Sequence, residues 1–331
     1  MAPASTMNNN KRGNAVEFFD IIMPYILSGI SVGGQYALIA IGYTMVYGIL
    51  RLINFAHADV FMVAGLMMVY IGGSAGAGIA ALAPLLLAIP IVIVLTMLLA
   101  FGIERAAYKP LRTAPRMSIM VSAIGASYFL QNFALYITGG LPKPYTNIPW
   151  FSASMTFLGV TIKRVTIITP FLVIALVFGL VMLINHTKIG MATRAVAKDF
   201  ETSRLMGVKI DSVISMTFFI GSFLAAVGSM LYFSNFPMVT PVVGAMPGLK
   251  AFVAAVFGGI GSIPGAVLGG VLIGVCESII KGLDTILLSL GVIKAPMELT
   301  TFSDAFTFVL LIIILVFKPT GLFGEKATDK V

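Results

Sequence analysis

Polar positions are scarce along this chain and fall at intervals. Continuous apolar runs occupy residues near 21–50, 60–75, 79–103, 117–139, 165–185, 212–234, 249–280 and 303–317, punctuated by turn residues or charges. A membrane-spanning strand alternates apolar and polar positions over about ten residues. These runs are continuous and longer, so they are helical by elimination. Each crossing needs roughly 20 apolar residues, so the pattern predicts an all-α polytopic membrane protein of about eight or nine transmembrane helices, some Gly-broken or re-entrant.

Two runs are too long for a single span. Residues 21–50 would make about 45 Å of helix, against a bilayer core of about 30 Å. Gly29, Gly33, Gly34, Gly42 and Gly48 are candidate break points. One long tilted span puts the N-terminus outside; a span plus a half-helix puts Lys11 and Arg12 inside, and the second is slightly favoured. The run 249–280 carries Gly258-Gly259-Ile260-Gly261-Ser262-Ile263-Pro264-Gly265 at its middle, a cluster that breaks a helix. Irregular backbone at membrane depth survives only where protein or a water cavity covers it. Two readings stand: a break facing the pathway, or a plain cytoplasmic hairpin turn. Broken runs near both ends resemble transporters built from repeats, although no sequence repeat is present. Gly72, Gly73, Gly76 and Gly78 are read as a turn.

Charge orients the spans. The stretches 104–116, 186–211 and the tail after 317 carry 12 of the 21 basic residues. Excess Lys and Arg mark cytoplasmic loops. Segment 235–248 is uncharged and 140–164 holds three basic residues, so both are placed outside, with Tyr145 and Trp150 at the interface. With 59% hydrophobic and only 10% charged residues, the net charge of +8 reflects loop anchoring rather than nucleic-acid binding. Three regions follow: a polar, mobile N-terminal extension at 1–20, a transmembrane domain at 21–318 with a charged loop at 186–211, and a cytoplasmic tail at 319–331. Cys276 stands alone, which rules out an intrachain disulfide; a small buried residue is expected there.

Catalytic chemistry finds no support. Two histidines and one cysteine cannot make a Cys/His zinc site. No GxxxxGK[S/T] loop is present, and Gly258-Gly259-Ile260-Gly261 lacks the lysine a phosphate loop needs. The chain is therefore expected to bind no metal or nucleotide and not to hydrolyse ATP itself. Ile53-Asn54-Phe55-Ala56-His57-Ala58-Asp59 places an amide, an imidazole and a carboxylate between two apolar runs. Ionisable groups at membrane depth are expensive and commonly functional. A His57–Asp59 pair, an interfacial loop, a site shaping the pathway and a proton relay are all open. Gln35, Ser122, Ser127, Gln131, Asn132 and Glu277 are further polar positions within apolar runs. Ser127 and Gln131 share a helix face. Glu277 is expected at the outer interface beside Lys281. In the loop 188–209, Val196, Phe200, Leu205 and Met206 allow a short amphipathic helix ended by Gly207, suited to a partner groove or to lipid.

Several of these segments resemble one family. They are Tyr36 to Gly48, Ile53 to His57, Ser122-Ala123-Ile124-Gly125, Gly190 to Gly207, Gly258 to Gly265, and Lys318-Pro319-Thr320-Gly321. The chain resembles the H-type permease subunits of ABC importers for branched-chain amino acids, from about Ser28 to Gly324. Ala58 stands where the family usually has glycine. The resemblance implies the ABC importer permease fold, in a bacterial cytoplasmic (inner) membrane. It implies a coupling role toward a separate ATPase for Gly190, Arg194, Ala195, Asp199 and Gly207. It also implies a related M-type permease as heterodimer partner, two ABC ATPase subunits that bind the ATP-Mg, and a periplasmic or extracellular solute-binding protein that delivers Leu, Ile or Val. Urea or short-amide importers are close alternatives, and a self-sufficient channel or secondary carrier is the rival class. Gln35, Asn54, His57, Asp59, Ser127, Gln131, Gly258, Gly259 and Gly261 are candidate pathway positions.

Overall fold

The chain forms twelve helices and four short strands among the residues the computed structural model describes: 4–73, 82–146, 149–157, 160–289, 293, 295, 297–318 and 320–323, with 4–20, 82–85, 149, 157 and 311 as backbone only. In order they are α1 (Ala4–Leu50), α2 (His57–Gly72), α3 (Leu82–Ile103), α4 (Arg116–Thr138), β1 (Lys143–Pro144), α5 (Pro149–Ser152), β2 (Ser154–Phe157), β3 (Val160–Lys163), α6 (Arg164–His186), α7 (Lys188–Lys198), α8 (Phe200–Leu205), α9 (Ile210–Asn235), β4 (Met238–Val239), α10 (Ala245–Gly258), α11 (Ile263–Ser289) and α12 (Ser303–Phe317). A π-helical turn, Glu104–Tyr108, and a 3₁₀ turn, Lys109–Leu111, extend α3. Seven helical segments among the described residues are long and apolar enough to cross a membrane, and α2 and α10 are shorter apolar helices. The molecule is an all-α, multi-pass membrane protein. Gly76, Gly78, Pro319, Lys326 and Lys330 lie outside the described residues.

The first run does not break. Helix α1 is continuous, and its glycines serve contact instead of bending. A Cβ on Gly33 would stand 2.7 Å from both Gly270 O and Val271 Cα of α11. A Cβ on Gly29 would stand 2.6 Å from Val275 Cα. The two helices therefore meet through backbone, the use that small residues have in membrane bundles. Helix α1 is the hub of the bundle, packed against α11, α9, α10 and α6, and Tyr36 through Ile41 are all buried. Its C-terminal end meets the charged loop, where Arg51 Nη2 donates to Ala197 O at 3.4 Å. Because α1 is unbroken, the arrangement of a span plus a separate half-helix is not what forms.

The second long run does break, as a helical hairpin. Helices α10 and α11 are joined by a short turn in which Gly259 and Gly261 hold φ of 101° and 103°, a region open mainly to glycine. The two helices touch where a Cβ on either Gly258 or Gly265 would strike the other's carbonyl. The chain end seals this turn: Leu322 N donates to Phe257 O and Phe323 N to Gly258 O, both at 2.9 Å. The turn thus lies beside the stretch that follows α12, on the side of Lys318. At 14 residues, α10 is about 21 Å long, shorter than a full span.

On the opposite side, β1 pairs with β4 through Lys143–Val239, and Tyr145 N donates to Pro237 O at 3.0 Å. This brings together the two segments assigned outside. Trp150 is exposed beneath the Arg164 guanidinium, whereas Tyr145 is buried against Phe233 and is no interface anchor.

Candidate functional site

The Asn54–Asp59 stretch enters the bundle. Residues 51–56 are non-helical, and α2 starts at His57. Asn54, His57 and Asp59 are all buried, which sets aside an interfacial loop. Each finds a different neighbour, and the expected His57–Asp59 pair is absent. Tyr108 Oη donates to Asn54 Oδ1 at 2.6 Å. The His57 ring meets Tyr43 edge-on at 5.2 Å, and its Nε2 points at Gly42, where any Cβ would collide with it. Asp59 Oδ2 accepts from Ser127 Oγ at 2.5 Å and Oδ1 from Gln131 Nε2 at 3.1 Å. The shared face of Ser127 and Gln131 therefore grips a carboxylate on α2. Gln35 is fully buried on α1, with no side-chain hydrogen-bond partner among the described residues.

These groups do not surround an open channel within the subunit. The cavity at Asn54, His57, Phe218 and Gly221 is about 10 Å³, at most the room of one water. Gly258, Gly259 and Gly261 stand apart from it, at the α10–α11 turn. Ser127 and Gln131 are only partly buried, on the shoulder of α4. Asn132, one turn after Tyr128, is exposed and bonded to that residue's carbonyl at 2.7 Å.

A second buried polar cluster includes Glu277, which was expected at the outer interface. It is instead 1% exposed. Its carboxylate accepts from Tyr36 Oη at 3.0 Å, Lys250 Nζ at 2.7 Å and Lys281 Nζ at 2.5 Å, and Lys250 also pairs with Asp304 at 2.6 Å. Two acids and two lysines thus join α10, α11 and α12, with Tyr36 of α1. An isolated charge here would be very costly, so the partners come as a set. The Lys281 neighbour was visible from i, i+4 spacing. Lys250, missed as a site residue, was signalled only by being a lone lysine inside the run 249–280.

The charged loop folds as two helices rather than one. Thr187 caps α7, its Oγ1 accepting from Gly190 N at 3.1 Å. Gly190 fits because its Cα lies against the Ile184 backbone. Arg194 reaches back to Asn185 Oδ1 and O, both at 3.4 Å. Asp199 interrupts the helix and caps α8, accepting from Thr202 N at 3.0 Å, a strongly favoured N-cap role. Gly207 ends α8 with φ of 82°, as its position predicted. Val196 is buried, while Phe200, Leu205 and Met206 are exposed together with Arg194 and Ala195. Phe200, Leu205 and Met206 thus lie outside the core, among charged residues.

The described residues thus form a multi-pass helical bundle with buried ion pairs and a short two-helix segment in its most basic loop. The chain belongs to the family of branched-chain amino acid transport system permease components, whose model matches residues 25–315. It is 38% identical to the high-affinity branched-chain amino acid transport system permease protein BraD of Pseudomonas aeruginosa, covering 92% of this chain and 97% of that one. It is also 38% identical to the corresponding LivH proteins of Salmonella typhimurium and Escherichia coli K12, over 95% of this chain and 99% of each. Among the described residues, no group of three His, Cys, Asp or Glu side chains could hold a metal ion.

Proposed function

We propose that this chain is the transmembrane subunit of an ABC importer for branched-chain amino acids, forming half of the translocation path in a bacterial inner membrane. The observation that carries the substrate is the near-full-length identity to permeases named for leucine-type amino acids. The exposed apolar and basic residues of α7 and α8 support docking on a separate ATPase, with Gly190, Arg194, Ala195, Asp199 and Gly207 as the coupling positions. Gly190, Arg194 and Asp199 shape and tether that segment, Ala195 lies on its exposed face, and Gly207 turns the chain back into the bundle. ATP-Mg belongs to two such ATPase subunits. A related M-type permease supplies the other half of the path, and a periplasmic or extracellular binding protein delivers the amino acid.

Hydropathy supports placing the path along α4. The exposed helices α6 and α12 and the Leu86–Leu111 span have mean hydropathies of 2.9, 2.3 and 2.8, as lipid contact demands, but α4 is equally exposed at only 1.3. Tyr128, Asn132 and Tyr136 form a stripe on its open face at i, i+4 and i+8. Ser127 and Gln131 border that face, with Asp59 behind them. Gln35, Asn54, His57 and the glycines of the α10–α11 turn shape the bundle from within.

Reconstitution tests this reading. The complete complex in proteoliposomes should import leucine with ATP, and unlabelled isoleucine or valine should compete while urea and acetamide do not. Leucine flux through this chain alone, without ATP, would instead establish a self-sufficient carrier. Gly207→Asp places a side chain at positive φ and a charge on the docking surface. Uptake should fall and the ATPase should no longer co-purify; normal uptake with an intact complex would overturn the coupling role.

A further inference from the structure

We infer that Glu104 is a positioning residue for transport: it locks the π-helical turn at the end of α3 into a joint that passes movement of the α7–α8 segment to α4. The inference rests on the coupling reading above. The turn Glu104–Tyr108 is bonded to three separate parts of the molecule. The fully buried Glu104 carboxylate accepts from Ser215 Oγ of α9 at 3.0 Å and from the Arg112 guanidinium. Ala107 O accepts from Ser122 Oγ of α4 at 2.8 Å. Tyr108 Oη donates to Asn54, in the break between α1 and α2. Arg112 also binds Asp211 in the first turn of α9, and Lys109 binds the same carboxylate at 2.8 Å.

The docking segment leads directly into this cluster. Helix α9 begins just after Gly207, and Val196 of α7 is buried in one apolar cluster with Tyr108 and with Ile119 and Ala123 of α4. A push on α7 and α8 therefore reaches the turn through both α9 and Val196. The buried Glu104–Arg112 pair lies within the turn and cannot part without stranding a charge, so it holds the turn as one piece between Ser215 and Asp211 of α9 and Ser122 of α4. The π-turn carries one residue more than the α-helical repeat, a geometry common at functional sites.

The test uses the whole complex with Cys276→Ala and two spin-label pairs. One pair, Thr193→Cys with Lys318→Cys, follows the docking segment. The other, Ile137→Cys with Leu288→Cys, follows α4 from an exposed position outside the polar stripe. Nucleotide should change both distances when Glu104 is present. In Glu104→Gln the first change should persist and the second should shrink by at least half, while leucine import falls at least tenfold and ATP hydrolysis stays within twofold. Glu104→Asp, which keeps the charge, should restore part of both. Ser215→Ala removes only the α9 bond and should give the same split more weakly; it decides the matter if Glu104→Gln fails to assemble. An undiminished α4 change in the variants, or import and hydrolysis falling in proportion, overturns the joint while leaving the coupling reading intact. A docking segment that stays still in the unmutated complex overturns the coupling reading itself, and the joint with it.

Discussion

Helices α1 and α6 differ in the direction opposite to a soluble protein. Helix α6 is the more apolar, with a mean hydropathy of 2.9 against 1.3 for Ile21–Leu50, yet α6 lies on the outside and α1 at the centre. Phe178 of α6 is 68% exposed, whereas Leu38, Ile39 and Ile41 of α1 are fully buried. Lipid tails are as apolar as leucine, so burial among helices brings little hydrophobic gain and close packing decides instead. The central helix therefore places glycines where it meets its neighbours' backbones and keeps polar side chains such as Gln35 and Tyr36 inside, while the outer one presents large apolar side chains. Helix α4 breaks this rule, being exposed without being strongly apolar.

The contrast can be broken most severely in the centre. Glu277→Gln would leave buried Lys250 with only the half-exposed Asp304 as its ionic partner and should cost about 3 kcal/mol, the low end for breaking a buried pair, read as early thermal aggregation of the detergent-solubilised protein. Gly33→Val forces a side chain into the α11 backbone, and overpacking of this kind should cost about 1–3 kcal/mol or more; the same assay should show it. Ser127→Ala removes one donor from the Asp59 carboxylate between α2 and α4, which should cost about 1–2 kcal/mol and weaken import. At the surface, Phe178→Leu should change stability by less than about 0.5 kcal/mol and leave import unaltered. Asn132→Leu should be just as mild on stability but should lower import severalfold. Equal import in these last two variants would remove α4 from the path.

Much of this organisation was legible before the fold was known. Run lengths identified the spans and the Gly258–Gly265 cluster marked the α10–α11 turn, because those signals are local. The spacing of Ser127 and Gln131 showed a shared polar face but not its occupant, since Asp59 is 68 residues away from Ser127 along the chain. Glu277 looked interfacial because only Lys281 stood near it in sequence. Its burial depends on Lys250 and Tyr36, brought in by α10 and α1.

By itself, the pattern of the sequence determined that this is a multi-pass helical membrane protein with a strongly charged internal loop. Hydropathy, charge asymmetry and turn chemistry act over tens of residues and survive in any arrangement of the helices. Only the tertiary structure decided which glycines bend the chain and which let helices touch. Gly259 and Gly261 hold positive φ, while Gly29 and Gly33 are ordinary helical residues facing another backbone. Composition cannot separate these uses, because the same missing Cβ that frees φ also opens space, and only a neighbouring helix reveals which property is used.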